Sequence, residues 1–146
     1  TGSQTIKLPL GPTDTYKIEL VAADGTVVST VNVTTAADGS YTGYTPYLSG
    51  KVCSIHYIKT DFADGVDFTI TSEATGESIW TESNVNAAKV CRPRGATHSN
   101  AGVASLFASG GEAVNDLIRL SRDRVKIVIA AGGNAKAGAF HVVVED

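Results

Sequence analysis

Three Asp-Gly pairs, Asp24-Gly25, Asp38-Gly39 and Asp64-Gly65, punctuate the first half of the chain. Each stands beside short runs in which apolar residues recur at every second position. No other feature constrains the fold as much. Glycine enters the φ > 0 region without steric penalty, so Asp-Gly closes tight turns between strands. A period of two sends alternate side chains to opposite faces of a sheet. In residues 16–22, Tyr16, Ile18, Leu20 and Ala22 share one parity; in residues 26–34, Val27, Val31 and Val33 do. Asp24-Gly25 between these runs predicts a hairpin. Nowhere does the 3.6-residue apolar period of a long amphipathic helix appear.

The pattern continues along the chain. Residues 51–60 read as a strand with Cys53, Ile55 and Tyr57 on one face and Val52, His56 and Ile58 on the other. Val66, Phe68 and Ile70 alternate next, and Ala74 to Glu77 form a turn. Residues 78–82, with Ile79 and Trp80, are expected to pair back. Further strands are expected around residues 88–91 and at Leu117, Ile118 and Leu120, with a turn at Asp123-Arg124. The runs VKIVIAA and AFHVVVE, beginning at Val125 and Ala139, are apolar on both parities in places, which predicts at least one central strand covered on both faces. The glycine-rich stretch between them reads as a hairpin tip. Only residues 95–113 depart from strand character. There Val103, Leu106 and Phe107 stand at i, i+3 and i+4, the spacing of one helical turn, with an ordered loop as the alternative. At the N-terminus Ile6, Leu8 and Leu10 alternate, but Pro9 removes a ladder donor and limits them to an edge strand or an extended arm. Nine to eleven short strands result. The expectation is an all-β fold, an antiparallel β-sandwich or jelly-roll-like domain with an N-terminal extended arm or hairpin. One domain spans 1–146, with 1–46 and 47–146 as possible sub-units.

Composition excludes several classes. The chain has 146 residues, 42% hydrophobic and 18% charged, enough to bury a core and too apolar for a disordered chain. A net charge of −3 argues against nucleic-acid binding, which rests on Lys and Arg at phosphates. No apolar run approaches the roughly 18 residues that span a bilayer. No charged n-region precedes an apolar stretch, so no signal peptide is expected. With no methionine in the chain, Thr1 reads first as the residue exposed by initiator removal, with cleavage of a longer precursor as the alternative. Two cysteines, Cys53 and Cys91, are not a disulfide framework. They are expected as buried thiols, with a single bridge left open.

Residues able to carry chemistry are scattered. His56, His98 and His141 fall in three segments, none at metal-ligand spacing. On a regular strand Cys53 and His56 would face opposite sides. No nucleophile signature surrounds Cys53 or Cys91, so Cys91 with His98 and an Asp is not expected as a nucleophilic site. The loop Gly132 to Gly138 lacks the pattern of a phosphate cradle. Asp61, Asp64 and Asp67 do not match an EF-hand calcium loop. The expectation is therefore no catalytic residue, no metal and no cofactor. Arg92 and Arg94, followed by Arg119, Arg122, Arg124 and Lys126, make the second half locally basic. Arginine is favoured at interfaces, so this stretch is a candidate for docking on an acidic surface.

From Lys51 to the C-terminus the chain resembles small structural proteins of tailed bacteriophages and prophages. The residues that carry this are ADGVDFTITSEATGESIW, CRPRGATHSNAGVASLF and DRVKIVIAAGGNAKAGAFHVVVE, beginning at Ala63, Cys91 and Asp123. The resemblance implies a non-enzymatic virion protein made in the host cytoplasm and placed on the capsid exterior. It would decorate the head by binding the major capsid protein, as a homo-oligomer (a trimer first), with no direct nucleic-acid or membrane contact. Ile6, Leu8 and Leu10 of the arm, with Arg92 and Arg94, are the expected interface residues. A neck, collar or tail-associated protein is the alternative. A carbohydrate-binding sandwich using Trp80, Tyr41, Tyr44 and Tyr47 is the second.

Overall fold

The computed structural model describes residues 26–145. Among these residues eleven strands form in order: β1 (Val27–Thr34), β2 (Tyr41–Tyr44), β3 (Leu48–Lys59), β4 (Val66–Ser72), β5 (Ser78–Val85), β6 (Lys89–Cys91), β7 (Arg94–Ala96), β8 (Asn115–Leu117), β9 (Arg119–Asp123), β10 (Val125–Ala130) and β11 (Ala137–Glu145). One sheet runs β1-β11-β3-β6, with β9 also on β3. A second runs β2-β10-β4-β5, and β7-β8 pair separately. Every pairing is antiparallel. The all-β antiparallel sandwich expected from the alternation is what forms. The segment holding Ile6, Leu8 and Leu10, and the Asp24-Gly25 hairpin, lie outside the described residues.

The period of two sets the two layers. In β1, Ser29, Val31 and Val33 are buried, while Val28, Thr30 and Asn32 are exposed. In β11, Phe140, Val142 and Val144 are buried. β10 and β11 are both interior strands, where the apolar runs predict at least one, and their outer faces are half-buried. Between the sheets an aromatic cluster forms around Tyr57. Its ring stacks on Phe62 at 5.9 Å and meets Phe68 at 5.1 Å and Phe140 at 5.3 Å. Trp80 closes on Phe68 edge-on at 4.8 Å. Burying aromatic rings supplies much of the apolar area that offsets chain entropy.

Five local expectations are corrected. The β3–β11 register slips at Val143/Val144, where Val144 pairs with Val52 and Val143 with Ser54, leaving Cys53 as the extra residue. This bulge breaks strict alternation. Val52, Ile55 and Tyr57 are the buried set, and Cys53 moves to the outer side with Ser54 and His56. Both thiols are half-buried and unbonded: Cys91 packs on the core and Cys53 lies outside it. The glycine-rich loop between β10 and β11 is not a hairpin tip, because those strands belong to different sheets. It crosses the end of the sandwich and is clamped there. Gly132 N donates to Gly39 O (2.9 Å), Ala63 N to Gly132 O (3.0 Å) and Thr35 Oγ1 to Gly133 O (2.6 Å). Gly39 is left-handed (φ +79), and a Cβ there would meet Gly133 N at 2.9 Å. Asp123-Arg124 is likewise a crossing, from β9 in one sheet to β10 in the other. Leu117, Ile118 and Leu120 are divided between β8 and β9, with Ile118 O accepting from Val52 N at 2.9 Å.

A candidate interaction surface: the projecting arm and its basic root

Residues 97–114 leave the sandwich as an arm rooted on β7 and β8, where Arg94 pairs with Leu117, Gly95 with Asp116 and Ala96 with Asn115. The expected helical turn does not form. The chain folds into two small lobes that share a middle run. Ser105 N donates to Thr97 O, Val114 N to Ser105 O and Thr97 N to Val114 O, each at 2.9 Å, and Phe107 N donates to Glu112 O at 3.1 Å. Bridges join His98 to Ala104 and Leu106 to Ala113. Left-handed Gly102 (φ 75) and Gly110 (φ 71) turn the two lobes. The physical reason is local. Gly, Ser, Thr and Asn crowd this segment, and their side chains offer the backbone bonds outside a helix. Ser99 Oγ accepts from Ala101 N and Val103 N at 3.3 Å.

What holds the arm is main-chain bonding and not burial. From His98 to Glu112 every residue except Ser105 is exposed. Val103, Leu106 and Phe107 are 66%, 43% and 76% exposed. The same stretch carries no Asp, Lys or Arg, and its one Glu stands at its end. An ordered element with a single charged residue, presenting three large apolar side chains, is the form of a contact surface.

The root of the arm is basic. Arg92, Arg94, Arg119 and Arg122 are all exposed, and none has a carboxylate in salt-bridge range among the described residues. Arg94 Nη1 donates to Pro93 O at 2.8 Å. Arg119 lies across from Lys51 in the β9–β3 pair. Arg122 is left-handed (φ 50), with its N–H on Ser49 Oγ at 3.0 Å. The expected contacts Arg92 and Arg94 thus stand where the chain enters the arm, and Arg119 follows where it leaves, two residues beyond Leu117, the strand partner of Arg94.

At the same end, where β4 stops and β10 begins, Arg124 forks onto Glu73 at 2.5 and 2.6 Å. Its guanidinium lies over Tyr44 at 4.5 Å and Tyr47 at 5.1 Å. The hydrogen bond from Arg124 holds the Glu73 carboxyl below its usual range. Beneath it Asp123 is buried, and accepts from Ser72 Oγ, from Ala74 N (3.1 Å) and from Arg124 N (2.7 Å). Burial alone would raise its pKa; these hydrogen bonds outweigh burial and hold it low. Tyr44 and Tyr47 are 39% and 61% exposed, whereas Trp80 is buried with Nε1 on Glu82 at 3.0 Å. Of the four aromatics weighed for sugar stacking, only these two come together in the open.

Other candidate groups do not converge. Asp61 holds Ala137 N and Lys136, Asp64 pairs with Lys59, and Asp67 caps Asn84 N. Burial pushes the thiols of Cys53 and Cys91 up, Glu145 adding to the first and Glu82 to the second. Neither therefore has the lowered pKa of a reactive thiol. A shallow groove of about 250 Å³ lies along Ser83, Asn84, Val85, Asn86, Ala87 and Lys89. The structure does bring together two residues that sequence spacing kept apart, His56 and His141, which are Cα partners on β3 and β11. Only the register of those strands could have paired them. No family model, no curated protein and no solved structure matches the chain.

Proposed function

We propose that this chain is a non-catalytic structural protein of a tailed-phage virion. On this reading it is a capsid decoration protein that binds the outer surface of the major capsid protein as a symmetric oligomer and stabilises the head. The observation that carries the reading is the arm, with Val103, Leu106 and Phe107 held out from the body by backbone hydrogen bonds. Full burial of one such side chain is worth about 1.5–3 kcal/mol. One arm therefore gives a modest contact after the cost of association. A symmetric lattice multiplies modest contacts through effective concentration. The unpaired arginines at the root favour an acidic rim on the partner and steer encounter. The phage resemblance of the segments that build the arm and the closing strands supports the same reading.

The test is co-sedimentation of the full chain with empty capsids of the source phage, with bound copies counted against capsid protein. Saturation at hundreds of copies per particle supports decoration. Saturation at about the copy number of one ring would instead place the chain at the neck or tail, and absence of binding would remove the virion reading. A second reading, glycan binding, has one observation in its favour: the exposed Tyr44–Arg124–Tyr47 cluster. Tyrosine fluorescence unchanged across a glycan panel would remove it.

A further inference from the structure

His56 and His141 stand directly opposite each other on antiparallel strands. Their neighbours Ile55, Tyr57, Phe140 and Val142 point into the core, so both imidazoles share the outer face of the sheet, where each is half-buried. Opposed positions in such a pair have Cβ atoms about 4.5–5.5 Å apart. At that separation two imidazoles can close on one ion at metal–nitrogen distances of about 2.0–2.1 Å. Ser54 Oγ lies 3.2 Å from His56 Nε2. In the tautomer whose Nε2–H donates to this hydroxyl, Nδ1 carries the lone pair, and the ring is oriented by a neighbouring group, as ligand histidines usually are. The His141 imidazole makes no side-chain hydrogen bond among the described residues, while its backbone sits in the ladders to β1 and β3.

The surroundings select the kind of ion. Thr30 lies across from His141 on β1, and Val90 across from His56 on β6. Val143 and Ala139 flank His141, and Ser54 and Ile58 flank His56, on the same face. None of these is charged, and no third His, Cys, Asp or Glu joins the pair among the described residues. Calcium and magnesium favour several oxygen ligands with carboxylates among them, and no carboxylate joins this pair among the described residues. Imidazole nitrogen suits copper, nickel and zinc.

We propose that His56 and His141 form a two-histidine chelate for a divalent transition-metal ion, one ion per chain, with water in the remaining positions. The bound ion bridges β3 and β11, the two strands at the heart of this sheet. This site is separate from the arm and stands or falls independently of the virion reading.

Calorimetric titration of the full chain with Ni²⁺ and Zn²⁺, with Mg²⁺ as control, tests the site. One Ni²⁺ or Zn²⁺ per chain is expected, and no Mg²⁺ binding. Cu²⁺, tested by its broadening of the His56 and His141 ring signals in NMR, should bind tightest. His56→Ala or His141→Ala should each weaken Ni²⁺ binding by more than about tenfold, the lower end of what even an outer-shell change costs, and Ser54→Ala by about tenfold. His98→Ala and Cys53→Ser should leave it unchanged. Both histidines lie on an outer face, and circular dichroism checks that the variants fold. Absence of saturable Ni²⁺ and Zn²⁺ binding, or binding that survives the double histidine variant, overturns the proposal. So does loss of binding in Cys53→Ser, or one ion shared by two chains.

Discussion

Replacing Tyr57 by Phe should stabilise this protein. The Tyr57 side chain is 1% exposed, and its hydroxyl has no hydrogen-bond partner among the described residues. In the unfolded chain water bonds that hydroxyl; in the fold no described residue does. Burying an unpaired hydroxyl costs about 1–3 kcal/mol in proteins. The ring contacts with Phe62, Phe68 and Phe140 survive the substitution. Against the gain stands the loss of one oxygen's packing, a fraction of a kcal/mol. The net expectation is a gain of about 1 kcal/mol. In urea the midpoint should rise with an unchanged slope, and Tm should rise by about 3–5 °C. Tyr57→Ala, which removes the ring, should instead cost about 3–5 kcal/mol. A second readout is pH. Burial pushes the Tyr57 hydroxyl up to about 12, against about 10 in an unfolded chain. The unfolded state therefore loses its proton first. Stability that is intact below pH 10 is lost as pH climbs towards 12. The Tyr57→Phe variant has no such loss, so its advantage should widen above pH 10. A Tyr57→Phe chain less stable than the parent, or an advantage flat across that range, would refute the reasoning.

Two further substitutions probe the frame. A Cβ at Gly138 would run into the ring of Phe62, itself stacked on Tyr57 at 5.9 Å; Gly138→Ala should cost about 1–3 kcal/mol by overpacking, read as a lowered urea midpoint. Asp123→Asn removes a carboxylate held low by its hydrogen bonds. Its contribution is present above the unfolded pKa and is lost as pH falls through the lower folded one. The variant should be less stable at neutral pH and show a shallower loss towards pH 2, measured as Tm against pH.

Fold class was legible in the sequence because the period of two in residues 27–33 and 66–70 is a direct image of one buried face. The Asp-Gly turns were legible as turns but not as destinations. Asp38-Gly39 and Asp64-Gly65 each lead from one sheet to the other. Local turn chemistry cannot say whether the next strand pairs with the last or lies opposite it. The Cys53 bulge was hidden for a related reason: one inserted residue changes parity without changing composition. In the arm, the spacing of Val103, Leu106 and Phe107 imitated a helix face, while the glycines at 102 and 110 and the Ser99 hydroxyl bonds carried the truer signal. Arg92, Arg94 and Arg119 were visible as a basic stretch; that His141 stands across from His56 depends on strand register, which no local window contains.

The central claim, that the arm is a folded contact element and not part of the core, is tested most directly by one comparison. The parent chain and a Val103→Ser, Leu106→Ser, Phe107→Ser variant are sedimented with the same empty capsids at matched concentration, after their Tm values have been measured. The expected result is a Tm unchanged within about 0.5 kcal/mol of stability, as for exposed positions, together with loss of capsid binding. A variant that binds as well as the parent, or one that unfolds, would contradict the claim.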